Sequence, residues 1–222
     1  MLVDQSKSLF IYSVTRDLGF APNPFHGVCT LATCKPDIRK KAVVGDWVMG
    51  IGGSKMTLQK RGCIFLMEVT NKITFDEYWN TPEYQLKKAV RNGSKVQVLG
   101  DNIYHRSEDG DWHQEDSHHS NYDGTINETN LKRDTGKTNN VLISNNFFYF
   151  GGHAPAIDLD AIGHGRQVRN YQGYSLSNTE PVFKEISKFI KKHASDKNII
   201  QGDPVDFHLF DKRVDQGTGQ YS

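Results

Sequence analysis

The sequence predicts an α+β protein with a mostly antiparallel sheet and two main helices packed on it. Two observations support this class. The first half of the chain contains four β-branched or aromatic runs, each ended by glycine, proline or a polar cluster, and two later segments carry helix-capping signals. The predicted strands are Leu9–Thr15, Val28–Leu31, Val43–Ile51 and Cys63–Thr70.

The third and fourth strands carry the most specific patterns. The segment Val43–Gly53 places Asp46 and Trp47 after a turn glycine and ends in two glycines. The fourth strand is almost continuously apolar, which is typical of a strand buried on both faces. A polar, basic connection, Ser54–Arg61, joins the two strands.

The first helix is predicted between residues 81 and 93. Thr81 is suited to cap it, Pro82 to occupy its first position, and Gly93 lies just beyond its end. Leu86 is predicted on its buried side, and Lys87 in its last turns, where a positive charge is favourable to the helix dipole. Lys95–Leu99 is then predicted as a short strand.

The second half contains an irregular stretch and the clearest helix. Residues 101–140 are acidic and rich in Asn, Ser, His and Gly, which predicts a polar insertion. Asn140–Phe150 returns to strand chemistry, with a hairpin predicted through Ser144–Asn146. The second helix begins after Thr179, with Pro181 in its first turn and apolar residues at helical spacing.

Length and composition predict a single domain over residues 1–222, with a flexible polar tail at about 211–222. At 222 residues the chain can bury a full core, and its mean hydropathy is −0.60. No apolar run approaches the length of a membrane span, so no membrane partner is predicted. The three cysteines, Cys29, Cys34 and Cys63, are an odd number beside apolar or small residues, which predicts reduced thiols in the cytoplasm.

Charge is unevenly distributed along the chain. The overall net charge is +1, but residues 1–61 carry +5 and residues 101–140 carry −5. A protein that coats DNA would have a basic excess throughout, so this distribution argues against general DNA binding. It remains compatible with one local anion site.

The connection Thr15–Arg39 is unusually constrained for a link between two strands. Pro22 and Pro24 fix the backbone on both sides of Asn23, and Gly27 restores its freedom. The connection is interpreted either as a shaped wall of a binding site or as a link pinned by its prolines. Its polar residues are Asp17, Asn23, His26, Lys35 and Arg39.

Three groups of residues are candidates for chemistry. In the first, the amides of Gly52 and Gly53 form an anion-holding nest to which Lys35 or Arg39 adds charge. Trp47 either stacks on a base or, as is more common, fills the core. The chain contains neither a phosphate-loop pattern nor GxGxxG, so the phosphate argument is weak.

The second group lies in the insertion. Its histidines and carboxylates are suited to bind a metal or to supply an acid and a base, but their spacing matches no recognised ligand motif. No metal is therefore predicted, and Asp101 and Asn102, directly after a predicted strand, are the better candidates. The members are Asp101, Asn102, Tyr104, His105, His113, His118 and His119.

The third group lies in Gly151–Arg169 and is interpreted as an anion site or, slightly better, as a turn with solvated charges. Its members are His153, His164, Arg166 and Arg169. Neither a Gly-x-Ser-x-Gly elbow nor a Cys/His pair in a recognised context supports nucleophilic catalysis.

Four blocks together resemble a known family. They are VTRDLGFAPNPFHGVCTLATCKPDIR, VGDWVMGIGG, LGDNIYH with SHHS, and VLISNNFFYFGGHAP, and their order covers most of residues 8–170. The sequence resembles the nucleotide modification associated domain family of the second type. This resemblance implies a role beside systems of bacteria and phages that modify or act on nucleic-acid bases.

A looser similarity concerns GDWVMGIGG followed by GCIFLMEVT. This pattern is similar to the PUA-like barrels of EVE, YTH and ASCH domains, which hold one flipped or modified base at the barrel mouth. It implies a partly closed β-barrel. The acidic insertion and the lack of a clear aromatic cage depart from that pattern.

These observations favour a recognition module that binds a nucleotide or modified base in one pocket, without a cofactor, and contacts nucleic acid only locally. Lys35 and the glycine amides would hold phosphate, while Asp46, Asn102 and Tyr104 would contact the base. The predicted ligand-binding residues are Asn23, Lys35, Arg39, Asp46, Trp47, Gly52, Gly53, Asn102 and Tyr104.

Two alternatives belong to other functional classes. One is an enzyme of hydrolase or transferase type acting on nucleotides or modified bases, with Asp17, Asp101 and His118 as acid, base or metal ligands. The other is a protein-interaction scaffold in a base-modification or phage-defence system.

Overall fold

A computed structural model describes residues 4, 6–56, 59–164 and 175–213. The chain divides into two compact units, each made of three separate stretches. Unit 1 comprises residues 1–17, 42–71 and 144–205, and unit 2 comprises residues 18–41, 72–143 and 206–222. The single domain predicted from the sequence stays a prediction.

The described residues contain ten strands and five α-helices. The strands are β1 (Leu9–Val14), β2 (Cys29–Leu31), β3 (Trp47–Gly52), β4 (Cys63–Glu68), β5 (Asn71–Thr74), β6 (Tyr104–Arg106), β7 (Trp112–Gln114), β8 (Asn140–Ser144), β9 (Phe147–Tyr149) and β10 (Ser175–Ser177). The helices are α1 (Pro36–Lys41), α2 (Phe75–Asn80), α3 (Lys95–Val98), α4 (Glu128–Thr135) and α5 (Glu180–Lys192). The 3₁₀ turns are Pro82–Lys87, Gly151–His153, Ala194–Asp196 and Phe207–Leu209.

Unit 1 is built on a five-stranded sheet in the order β10-β1-β3-β4-β9. The β1–β3 pair is parallel and the other three pairs are antiparallel, so the prediction of a mostly antiparallel sheet holds for this sheet. The apolar residues of β1, β3 and β4 are buried because both faces of these strands are covered. Helix α5 adds Val182, Phe183, Ile186 and Phe189 to the same core, as its periodicity predicts.

Unit 2 contains a three-stranded sheet in the order β2-β8-β5 and the hairpin β6–β7. Its core combines aromatic residues from α2 and β6 with aliphatic residues of β8. The predicted insertion at 101–140 contributes to this core through Ile103, Tyr104 and Leu131. Residues 101–140 thus form part of the framework of the unit.

The partly closed barrel is not found in the described residues. The sheets contain five, three and two strands, and β10 and β9 are the open edges of the largest one. A barrel requires the first and last strands to pair. Strands β3 and β4, which carry the PUA-like pattern, are neighbouring antiparallel strands of this open sheet.

The predicted helix over 81–93 is wrong. Thr74 caps α2 through a capping box with Glu77, and Pro82 starts a separate 3₁₀ turn. Leu86, expected on the buried side, is 65% exposed, whereas Lys87 is buried. The predicted strand at Lys95–Leu99 is helix α3, capped by Ser94.

The predicted hairpin through Ser144–Asn146 is also wrong. Strand β8 belongs to the sheet with β2 and β5, whereas β9 pairs with β4. The Ser144 hydroxyl donates to the Asn146 carbonyl and accepts from its amide, which turns the chain without pairing the two strands.

Within the described residues, no helix is long and apolar enough to cross a membrane. The predicted flexible tail falls mainly on residues 214–222, which lie outside the described part of the chain.

A candidate thiol active site

Cys34 lies in unit 2, in the short connection from β2 to α1. Its backbone and that of Lys35 both have positive φ, 56° and 41°, a conformation that non-glycine residues adopt only when their surroundings impose it. The Cys34 amide donates to Asp134 Oδ1 at 2.8 Å, and Arg39 Nε donates to the Cys34 carbonyl at 2.8 Å. The protein therefore holds the backbone on both sides of this thiol.

His119 contacts the thiol. Its Nε2 atom lies 3.9 Å from Cys34 Sγ, and its Nδ1 atom lies 2.8 Å from Asp134 Oδ2. The ring is buried, and Phe20 packs edge-on against it with centroids 4.6 Å apart. A thiol beside an imidazole that a carboxylate orients is the arrangement of an activated cysteine nucleophile.

Asp134 comes from α4, which Asn127 caps, and it is fully buried. Besides the imidazole, it accepts hydrogen bonds from the Tyr104 hydroxyl at 2.9 Å and from two nitrogens of Arg133 at 2.8 and 3.0 Å. Burial opposes its ionisation, but His119 and Arg133 outweigh burial and hold the pKa of this carboxyl well below its usual range. Asp134 is therefore ionised.

The pKa values of the Cys34 thiol and the His119 imidazole shift in opposite directions. Burial raises the pKa of Cys34, but the Arg133 charge and the His119 hydrogen bond outweigh it, so the net pKa is lowered. Burial and Arg133 lower the pKa of His119, but Asp134 and the thiol raise it further. These shifts favour a thiolate–imidazolium pair, the reactive form of a cysteine nucleophile.

Arg39 binds the backbone around this cluster. Its guanidinium is fully buried and donates to the carbonyls of Cys34, Asp134 and Asn140. These carbonyls belong to segments that carry the thiol, α4 and the start of β8. One side chain therefore fixes the positions of the three segments.

The structure brings three predicted ligand-binding residues to this cluster: Lys35, Arg39 and Tyr104. Lys35 is half-buried next to the thiol, and burial lowers its pKa although Cys34 raises it. Arg39 and Tyr104 are buried and bind the backbone and carboxylate of the site. Their contacts are with the protein framework.

Asp101 forms a second buried cluster in unit 2. It accepts from Thr30 at 2.7 Å and from the Tyr78 hydroxyl at 2.8 Å. Burial raises its pKa to about 6, and burial lowers the pKa of nearby Lys87 to about 8. Asp101 is 0% exposed, so the described structure places it inside the framework.

Asn23 and Asn102 belong to this second cluster. The Asn23 amide nitrogen donates to Leu99 O, and its Oδ1 accepts from Lys87 Nζ at 2.8 Å. The Asn102 side chain donates to the carbonyl of Tyr78. The predicted wall around Asn23 is thus built into the core of the unit.

His118 differs from His119 although the two are adjacent. Its Nδ1 atom donates to the carbonyl of Lys212 at 2.7 Å, which fixes the tautomer. Burial, followed by the His119 charge, lowers its pKa to about 3. His118 is therefore neutral over the ordinary pH range.

The remaining predicted residues lie in unit 1. Asp17 accepts from the Tyr149 hydroxyl at 2.5 Å, and Asp46 accepts from the amides of Ser8 and Val43. Trp47 is part of the core. None of these contacts involves the thiol site.

The glycine nest is already occupied by the backbone. The Gly52 amide donates to Gly62 O and the Gly53 amide to Val14 O. A Cβ at Gly52 would lie 1.9 Å from Gln59 O, which explains the need for glycine there.

The third predicted group is described only at its two histidines, which lie in unit 1. His153 contacts the carbonyl of Gln201 at 2.8 Å and His164 is buried, whereas Arg166 and Arg169 lie outside the described residues. Throughout the described ranges, no group of three or more His, Cys, Asp or Glu side chains is arranged to hold a metal ion.

Sequence reasoning missed Cys34, Arg133 and Asp134 as site residues. Cys34 is separated from His119 by 85 residues and from Asp134 by 100, so no local motif joins them. The available signals were the SHHS segment and a cysteine directly before Lys-Pro. Neither signal indicates that the cysteine and the histidine lie next to each other in the fold.

A protein-family model described as Nucleotide modification associated domain 2 matches residues 6–211. The match confirms the family resemblance of the four sequence blocks, and its span includes the whole thiol site. Comparison with curated proteins and with solved structures finds no match.

Proposed function

This chain belongs to the nucleotide modification associated domain 2 family, and we propose that it is a thiol-dependent enzyme that acts on a nucleotide or a modified base. Cys34 is the nucleophile, His119 the general acid and base, and Asp134 the residue that orients the imidazole. The observation that carries the proposal is the continuous contact from Sγ through the imidazole to a buried carboxylate.

The reaction class follows from the thiolate–imidazolium pair. The Sγ lone pair forms a bond to an electrophilic carbon of the substrate, and the bond from that carbon to its leaving group breaks. The leaving group takes the proton from His119 Nε2 as it departs. The S–C bond is then broken by water in a hydrolase, or by an acceptor substrate in a transferase, with His119 taking the proton of that second nucleophile.

The predicted recognition module is the second candidate, and Lys35 favours it. A half-buried cation at the rim of a polar cluster is suited to bind an anionic ligand whether or not chemistry follows. The two candidates therefore share Lys35 and differ in the need for an ionised Cys34. A binding module has no use for the thiolate.

One set of experiments tests for product formation, for a reactive thiol and for nucleotide binding. The protein is incubated with mixtures of deoxynucleotides and modified deoxynucleotides, and products are identified by mass spectrometry beside Cys34→Ala. We expect a product with the native chain and none with the variant. A native Cys34 that alkylates no faster than an exposed model thiol would overturn the proposal, and tight nucleotide binding without product would favour the recognition module.

A further inference from the structure

The charges around Cys34 do not balance. The thiolate interacts electrostatically with Arg133, Lys35 and Arg39, whereas Asp134 is the carboxylate at the centre of the cluster. With Cys34 ionised and His119 protonated, these six groups carry four positive and two negative charges. The cluster therefore has an excess of positive charge, although the surrounding stretch 101–140 carries −5.

Arg133 is only partly used by the protein. Its Nε and Nη2 atoms donate to Asp134, and Nη2 also lies 3.0 Å from the His119 ring. Within the described part of the chain, its Nη1 atom donates to no acceptor, and the side chain is 27% exposed. A guanidinium held by a carboxylate on one edge presents the other edge in a fixed direction, ready for an anion.

Lys35 directly follows Cys34 in the chain. Cys34 and Lys35 both have left-handed backbone, in the bend that precedes α1. The lysine is half-buried; burial lowers its pKa, and the charge of the Cys34 thiolate raises it. A second cation thus lies close to the nucleophile.

From this arrangement we infer that the substrate of Cys34 carries an anionic phosphate group that Arg133 and Lys35 bind next to the reacting carbon. The inference rests on the proposed function and specifies its substrate class. Phosphate is the anion of a nucleotide, and a guanidinium edge with an ammonium group is a common way to bind it. Neutral nucleosides and free bases are then poor substrates.

The test compares two alkylating reagents of similar size. Iodoacetate is an anion and iodoacetamide is neutral, so the ratio of their rates at Cys34 reports the local charge. The ratio is measured on the full chain and divided by the ratio for N-acetylcysteinamide. We expect the protein to favour iodoacetate by about tenfold relative to the model thiol, because an excess of positive charge concentrates anions.

Two variants test whether Lys35 causes the preference for iodoacetate. Lys35→Met should lower the ratio at least about threefold, because one of the two cations is lost. Lys132→Met is the matched control, since Lys132 is exposed beside Arg133 on the same helix, and it should leave the ratio unchanged. Equal effects of both variants would contradict the inference.

Protection experiments identify the source of the phosphate. Nucleoside 5′-monophosphates should slow alkylation by iodoacetamide at concentrations where nucleosides do not, and a short oligonucleotide distinguishes free from polymeric phosphate. High reactivity toward both reagents without an anion preference would overturn the phosphate site and leave the proposed function standing. Low reactivity toward both reagents would overturn the two together.

Discussion

The Sγ atom of Cys34 lies 3.9 Å from the Nε2 atom of His119, although 85 residues separate the two in the chain. Neither residue reaches the other through local structure, since Cys34 follows β2 and His119 follows the β6–β7 hairpin. The carboxylate of Asp134 joins them by accepting from the Cys34 amide and from the imidazole. The geometry is therefore a product of the tertiary fold.

The adjacent histidines offer a matched pair of variants. His119→Asn should lower the rate of Cys34 alkylation by iodoacetamide at pH 7 by about tenfold or more, because the thiolate fraction falls when the imidazolium is lost. His118→Asn should change the rate little, since His118 is neutral and bonded to Lys212 O. Rates are measured by intact mass after short exposures. A larger effect of His118→Asn would assign the base to the other ring.

The pH profile of alkylation tests the ionised state of the thiol. The midpoint for Cys34 should lie below about 8.5, the value of an unperturbed cysteine, because its pKa is lowered. Asp134→Asn should move the midpoint upward, since the imidazolium loses its counter-charge. Cys29 and Cys63 are internal controls: both are buried, and burial raises the pKa of Cys63. Both should stay unlabelled in the native protein, and a midpoint of 8.5 or higher for Cys34 would contradict the ion pair.

Arg39→Ala should lower the free energy of unfolding by about 3–5 kcal/mol. The change leaves a buried carboxylate cluster without one cation and three carbonyls without their donor. Lys40→Ala is the control, because Lys40 is the exposed neighbour of Arg39 on α1, and it should change stability by less than about 0.5 kcal/mol. Urea unfolding measures both. Similar midpoints for the two variants would mean that the guanidinium contributes little.

The carboxyl of Asp101 predicts a pH dependence of stability. Burial raises its pKa to about 6, against about 3.9 in an unfolded chain. The folded state therefore binds the proton more tightly, so this stabilisation is complete below about pH 4 and is lost as the pH rises through about 6. The loss is at most about 3 kcal/mol.

Asp101→Asn should remove this dependence, so that the unfolding free energy changes less between pH 4 and 7 than in the native chain. Lys87, with its pKa lowered to about 8, titrates above this window. Asp109→Asn, at an exposed position in the β6–β7 turn, should preserve the native slope. An unchanged slope in Asp101→Asn would show that another group titrates there.

The sequence predicted the elements whose pattern is long and local. Helix α5 follows from five apolar positions at helical spacing, and β1, β3 and β4 follow from runs bounded by glycine and polar residues. Such signals need no knowledge of tertiary partners. These local patterns therefore predict the main strands and the long helix of unit 1.

Tertiary contacts explain the main failures in unit 2. Lys87 was predicted in the last turns of a helix, but its ammonium group donates to two oxygens of Asn23 and to Val28 O, more than fifty residues away. The cluster of Cys34, His119 and Asp134 was not predicted for the same reason, because three residues at unrelated positions form no motif. Lys35 was predicted as a ligand-binding residue, and that role stays a prediction.

The interleaving of the two units has a consequence for synthesis on the ribosome. Unit 2 is completed by residues 206–213, whose Lys212 carbonyl holds His118 and whose Arg213 binds Asp116. A nascent chain that already contains Cys34, His119 and Asp134 still lacks this last segment. A fragment released before residues 206–213 are synthesised therefore lacks both hydrogen bonds.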